Sequence, residues 1–131
     1  MRICIDLDGV ICALKKDGQT YADPEPIPGA AEKLRALRAA GHFVIIHTAR
    51  HMKTTGGNVG AVTARIAQIT LDWLQRHNIE FDEIYFGKPW ADVYIDDNAL
   101  RFTNWNDITA TGANLPRSSE SVRAEAEPPL P

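Results

Sequence analysis

The sequence predicts an α/β protein built as a doubly wound parallel sheet. Two observations carry this. Short apolar runs of strand length alternate with stretches of helical periodicity, in the order strand, helix, strand, helix, strand, short crossover, strand. Each apolar run also ends in polar or charged residues, and the carboxyl ends of the strands are where open α/β sheets bind ligands.

The first run, Ile3-Cys4-Ile5-Asp6-Leu7-Asp8-Gly9-Val10, reads as a buried parallel strand closed by an Asp-Gly turn. Strand alternation puts Asp6 and Asp8 on the same side. Buried carboxylates need partners, so two acids here serve packing poorly. The plain alternative is a strand that simply ends in a polar turn. Asp17-Gly18, between Ile11-Cys12-Ala13-Leu14 and Thr20-Tyr21, is a hairpin signal, and residues 11 to 27 read as a small flap. Pro24, Pro26 and Pro28 forbid regular structure before a helix that opens at Pro28 and runs to about Ala40. Ala31, Leu34, Leu37 and Arg38 follow helical spacing, and Gly41 stops the helix.

His42 to His47 reads as a second buried strand, with Thr48-Ala49-Arg50 at its end. A polar loop follows, rich in Thr and Gly. Asn58 caps a long helix to His77, whose stripe is Val62, Ile66, Ile69 and Trp73, widened by Leu74. Phe81 to Phe86 holds a third strand ending at Gly87-Lys88-Pro89. Ala91 to Asn98 reads as a fourth, ending in Asp96-Asp97, and a short turn or helix covers Ala99 to Phe102.

At 131 residues the chain is one domain, read as residues 1–111. Residues 112–131 read as a tail, with Arg117 to Pro131 expected to be disordered, because Gly, Pro, Ser, Glu and Ala replace the apolar periodicity. The net charge of −3 provides no basic footprint for nucleic acid and no polybasic membrane patch. No apolar run approaches the ~20 residues of a membrane span. The start reads as strand rather than signal peptide. Cys4 and Cys12 make no disulfide framework and are expected reduced and packed, which suits the cytoplasm. A zinc site combining either cysteine with His47 or His51 is the less favoured use of them.

In a parallel sheet the strand ends share one edge. Asp6 and Asp8, Thr48 and Arg50, Lys88, and Asp96 and Asp97 therefore meet in one crevice. Two like charges 4 Å apart repel by roughly 4 kcal/mol at an effective dielectric near 20, so such an acidic cluster needs a cation. Hard oxygen ligands without a soft donor point to magnesium. With a lysine and a hydroxyl beside it, the crevice suits a phosphoryl group.

Taken together, Asp6-Leu7-Asp8-Gly9-Val10, Thr48 after an apolar strand, Lys88, and Asp96-Asp97 after another resemble the four ordered motifs of the haloacid dehalogenase (HAD) superfamily of phosphatases. They span residues 3 to 98. More narrowly, Thr48-Ala49-Arg50-His51-Met52-Lys53-Thr54 and Tyr85-Phe86-Gly87-Lys88-Pro89-Trp90-Ala91-Asp92 resemble a group of bacterial capsule-biosynthesis phosphatases. The resemblance implies a Rossmann-like core of the capless type, with only the short flap. It implies Asp6 as nucleophile forming an aspartyl phosphate, and Asp8 as general acid, its protonation favoured by neighbouring acids. Thr48 would hydrogen-bond a phosphoryl oxygen, and Lys88 would neutralise that group and hold Asp6. Magnesium would be held by Asp6, Asp96 and the backbone carbonyl of Asp8, with Asp97 acting directly or through water. Val10 stands where many members carry Thr.

The substrate-facing set is Thr48, Ala49, Arg50, His51, Lys53 and Lys88, and the implied substrate is a small phosphorylated metabolite, a sugar phosphate of surface-polysaccharide synthesis. Trp90 and Trp105 either stack on that substrate or pack. An open site without a cap implies a homo-oligomer in which a second copy covers it. The rival functions are a nucleotide phosphatase and a phosphate-binding regulatory module without turnover.

Overall fold

A computed structural model describes residues 1–117. Strands β1 (Arg2–Asp6), β2 (Phe43–Thr48) and β3 (Glu83–Phe86) form a parallel sheet in the order β1-β2-β3. The register pairs Ile5 with Ile46 and Asp6 with His47, and on the far side of β2 it pairs Thr48 with Phe86. Both crossovers run in the same direction across the sheet. Right-handed connections therefore put α1 (Ala30–Ala39) and α2 (Val59–Arg76) on one face. Leu34 and Leu37 of α1, and Trp73 and Leu74 of α2, close a single core over Ile5, Val44 and Ile46.

Local chemistry sets the ends of these elements. Asn58 caps α2 by accepting a hydrogen bond from Ala61 N–H at 2.9 Å. Asp82 accepts from Val44 N–H at 2.8 Å and from Arg38 Nη2 at 3.0 Å, tying the approach to β3 to β2 and α1. In α2 the buried stripe is Val62, Ile66, Thr70, Trp73 and Leu74, so Thr70 takes the inward place expected of Ile69.

Three expectations are corrected. Residues 91–98 form no strand. Among the described residues no backbone–backbone hydrogen bond ties residues 89–103, and Val93 and Ile95 are 70% and 96% exposed. The reason is burial. A strand is held by packing of its side chains as well as by its ladder, and these side chains have none; the only regular element described after residue 98 is a 3-10 turn at Trp105–Asp107. The expected helix at Ala99 to Phe102 is absent as well. The sheet is thus three-stranded, with helices on one face and β1 at an edge. Cys4, on the other face, is exposed rather than packed.

Second, the hairpin of residues 11–27 shrinks to a short stem, in which Ala13 N–H donates to Glu25 O at 2.9 Å and Ile27 N–H to Ile11 O at 2.8 Å. The loop above it is pinned to α2, where Trp73 Nε1 donates to Pro24 O and Arg76 Nη2 to Ala22 O. Third, packing continues past residue 111. Ile108 is buried, and Leu115 lies against the core. Residues 118–131, which hold most of the expected tail, lie outside the described residues.

Amide hydrogen exchange separates the paired and unpaired segments. The amides of β2 are expected to be strongly protected, and those of residues 91–97 to exchange as in an unfolded peptide. Equal protection in both would mean that residues 91–97 pair with the sheet.

Candidate active site

The carboxyl ends of β1 and β2, and the residues just after them and after β3, bring five of the expected side chains together: Asp6 with Lys88, and Asp8 with Thr48 and Arg50. β1 continues through Leu7, whose N–H donates to His47 O at 3.1 Å; Leu7 O then accepts from the N–H groups of Val10, Ile11 and Cys12. This tight turn passes through Gly9 at φ 87°, a left-handed conformation that glycine adopts without strain. It folds Asp8 back toward the end of β2.

Asp6 lies at the rim. Its Oδ1 accepts from Leu7 N–H at 3.0 Å and faces Lys88 Nζ at 3.6 Å. Lys88 is positioned by its own N–H, which donates to Thr48 O at 3.1 Å, and its ammonium sits 4.2 Å from the Tyr94 ring centre. Burial pushes the Asp6 carboxyl above its ordinary value of 3.8, against the opposing pull of Lys88 and His47. His47, in register with Asp6, is pushed below its ordinary value, first by burial and then by Lys88.

Asp8 has a different environment. Arg50 Nη2 donates to its Oδ1 at 2.9 Å, and Arg50 Nε lies 3.1 and 3.2 Å from its two oxygens. Thr48 Oγ1 donates to Asp8 Oδ2 at 3.1 Å and accepts from Arg50 N–H. The acidic neighbourhood expected around Asp8 is therefore replaced by a guanidinium and a hydroxyl. Arg50 is not at the rim; it is 3% exposed and faces inward. Thr48 is fully buried, and its hydroxyl proton is directed to Asp8. Cys12 Sγ lies 3.6 Å from Asp8 Oδ1, and burial pushes its thiol up to about 12, so it is a packed, unreactive thiol.

The other expected residues are dispersed. Ala49 is half-buried, and its carbonyl accepts from Met52 N–H. His51 is left-handed at φ 59°, with its buried Nδ1 unpartnered. Lys53 is exposed, its ammonium 4.6 Å from the Trp90 ring centre. Trp90 is exposed, whereas Trp105 is core, donating from Nε1 to Val10 O.

A hollow of about 860 Å³ runs along the free edge of β1, lined by Asp6, His47, Lys88, Tyr94 and Asp96 among others. Asp97 is not among its lining residues. Asp6 and Asp96 are hard oxygen donors facing one space, a donor set of the kind that suits a hard divalent cation. Among the described residues, no group of three His, Cys, Asp or Glu side chains converges into a metal site.

Sequence reasoning missed Tyr21, Thr70 and Tyr94. Thr70 had a signal, since it lies four residues after Ile66 on the inward stripe. Tyr21 and Tyr94 had none, because their contacts join segments far apart in the chain.

No protein-family model matches the chain, and no curated protein matches it. Among solved structures it is similar to an MCSG target from Vibrio cholerae. The two share 29% identity over 94% of each chain, with a TM-score of 0.71. That likeness supports the α/β fold.

The raised Asp6 carboxyl leads to a test. Folding favours its protonated form, so the stability it contributes is full below 3.8 and is lost as pH rises through the folded value. Asp6→Asn is expected to melt higher than the parent at pH 7, with the gap closing as the pH falls toward 4. A lower melting temperature at pH 7 would contradict this reading.

Proposed function

We propose that the protein is a phosphatase of the HAD type, cleaving phosphoric monoesters through an aspartyl-phosphate intermediate. The observation that carries this reading is that Asp6 and Lys88 lie 3.6 Å apart while Asp8 and Thr48 share a hydrogen bond of 3.1 Å, all from three adjacent strand ends. A carboxylate nucleophile beside a fixed cation, with a second carboxyl two residues on, is the set that two-step phosphoryl transfer needs. The doubly wound core of that superfamily is part of the proposal. So is the resemblance to capsule-biosynthesis phosphatases, with a small sugar phosphate as substrate in the cytoplasm.

In the first step an Asp6 oxygen bonds to phosphorus as the ester P–O bond breaks; the Thr48 hydroxyl that now donates to Asp8 Oδ2 turns away, and that oxygen takes up a proton and passes it to the leaving oxygen. In the second, water adds to phosphorus, its proton passes to Asp8, and the acyl-phosphate P–O bond breaks to free Asp6. Lys88 holds Asp6 and balances the phosphoryl charge. Thr48 reaches a phosphoryl oxygen only by redirecting the hydroxyl that now donates to Asp8. Asp6 and Asp96, which line one hollow, would hold magnesium, and its charge would neutralise the phosphoryl oxygens.

Asp6→Asn is expected to lower phosphate release from a library of phosphorylated metabolites by at least about a thousandfold, with the fold retained. Parent activity is expected to vanish with chelator and return with magnesium. Retained activity in Asp6→Asn would remove the nucleophile; no release from any ester would favour a regulatory phosphate-binding module. Preference for nucleoside monophosphates over sugar phosphates would favour a nucleotide phosphatase.

Val93 and Tyr94, exposed and lining the open hollow, with the exposed Ile95 next to them in the chain, support a homo-oligomer in which a second copy covers the site. Light scattering is expected to find that oligomer at working concentration. A fully active monomer would remove it.

A further inference from the structure

Arg50 is the most enclosed charge among the described residues, at 3% exposure. Each of its three nitrogens is engaged. Nε and Nη2 grip the Asp8 carboxylate, and Nη2 also lies 3.5 Å from Cys12 Sγ. Nη1 donates to Thr70 Oγ1 at 3.0 Å, within α2. One face of the guanidinium lies 4.2 Å from the Tyr21 ring centre. All three nitrogens are thus committed to protein partners, and the side chain is directed inward, away from the rim. Its contacts come from three separate segments: the turn after β1, the middle of α2 and the loop pinned to α2.

A carboxyl that transfers a proton must present one oxygen at a set angle to the leaving group, and small misplacements cost rate. Arg forms a planar fork that fixes the plane of a carboxylate; Lys supplies the same charge without that orientation.

We propose that Arg50 is the positioning residue of Asp8: its guanidinium, anchored by Thr70 and covered by Tyr21, fixes the plane of the Asp8 carboxyl and so sets how it meets the leaving oxygen. This rests on the phosphatase reading above. Arg50 touches neither substrate nor reacting atoms and acts only through Asp8. Its influence is greatest where the leaving group most needs a proton.

The test compares two esters through kcat/KM, which reports the first phosphoryl transfer. p-Nitrophenyl phosphate releases a phenolate that needs little protonation, whereas benzyl phosphate releases an alkoxide that needs it fully. In Arg50→Lys, kcat/KM for benzyl phosphate is expected to fall at least about tenfold further than for p-nitrophenyl phosphate, mainly through kcat. Thr70→Val removes only the Nη1 anchor, keeps the volume, and is expected to shift the ratio the same way by a smaller factor. If Arg50→Lys does not fold, the Thr70→Val ratio decides.

Equal losses on both esters in folded variants, or no loss, would overturn the inference while leaving the phosphatase reading in place. A parent protein inactive on both esters and on the metabolite library would overturn both.

Discussion

The buried pair of Arg50 and Asp8 is the constraint on which the site depends. A guanidinium at 3% exposure must be matched by a charge and its N–H groups satisfied, or its burial would be prohibitive. That demand accounts for features that otherwise look unrelated. Thr70 is a polar residue on the inward stripe of α2 because Nη1 needs an acceptor there. The turn after β1 is tight, with Leu7 O accepting three N–H groups, and it delivers Asp8 to the end of β2. Removing one partner from such a pair typically costs about 3–5 kcal/mol, a large share of a small domain's stability.

Asp6 and Asp8 lie two residues apart yet have opposite surroundings. Asp8 is saturated with donors, while Asp6 is partly desolvated beside one ammonium at 3.6 Å. Folding keeps Asp6 where its charge is unwelcome, and its pKa is raised accordingly. A carboxylate held at some cost to stability fits the nucleophile proposed above, whereas Asp82 is placed as a structural acid is, with backbone and guanidinium donors and a lowered pKa.

The sheet ends at β1, and that edge shapes the rest of the site. Trp105, Ile108 and Leu115 cover the helix side of the core near it. Along the edge itself lies the hollow that Asp6, Lys88 and Asp96 share.

The sequence by itself determined β1, β2, α2 with its Asn58 cap, and the gathering of Asp6, Asp8, Thr48 and Lys88 at one sheet edge. Those follow from local rules: apolar periodicity, cap chemistry, and the common edge of parallel strand ends, although β1 stops at Asp6 and the turn through Gly9, not strand alternation, places Asp8. Only the tertiary structure decided that Arg50 turns inward to Asp8 instead of facing substrate, that Thr70 rather than Ile69 lines the core, and that residues 91–98 stay unpaired. Strand propensity in Ala91 to Asn98 was plain, but pairing depends on long-range packing partners that no local pattern reveals. The direction of Arg50 likewise depends on Asp8, Thr70 and Tyr21, three partners remote in sequence. A charged side chain goes wherever its charge is best matched, and that is known only once the chain has folded.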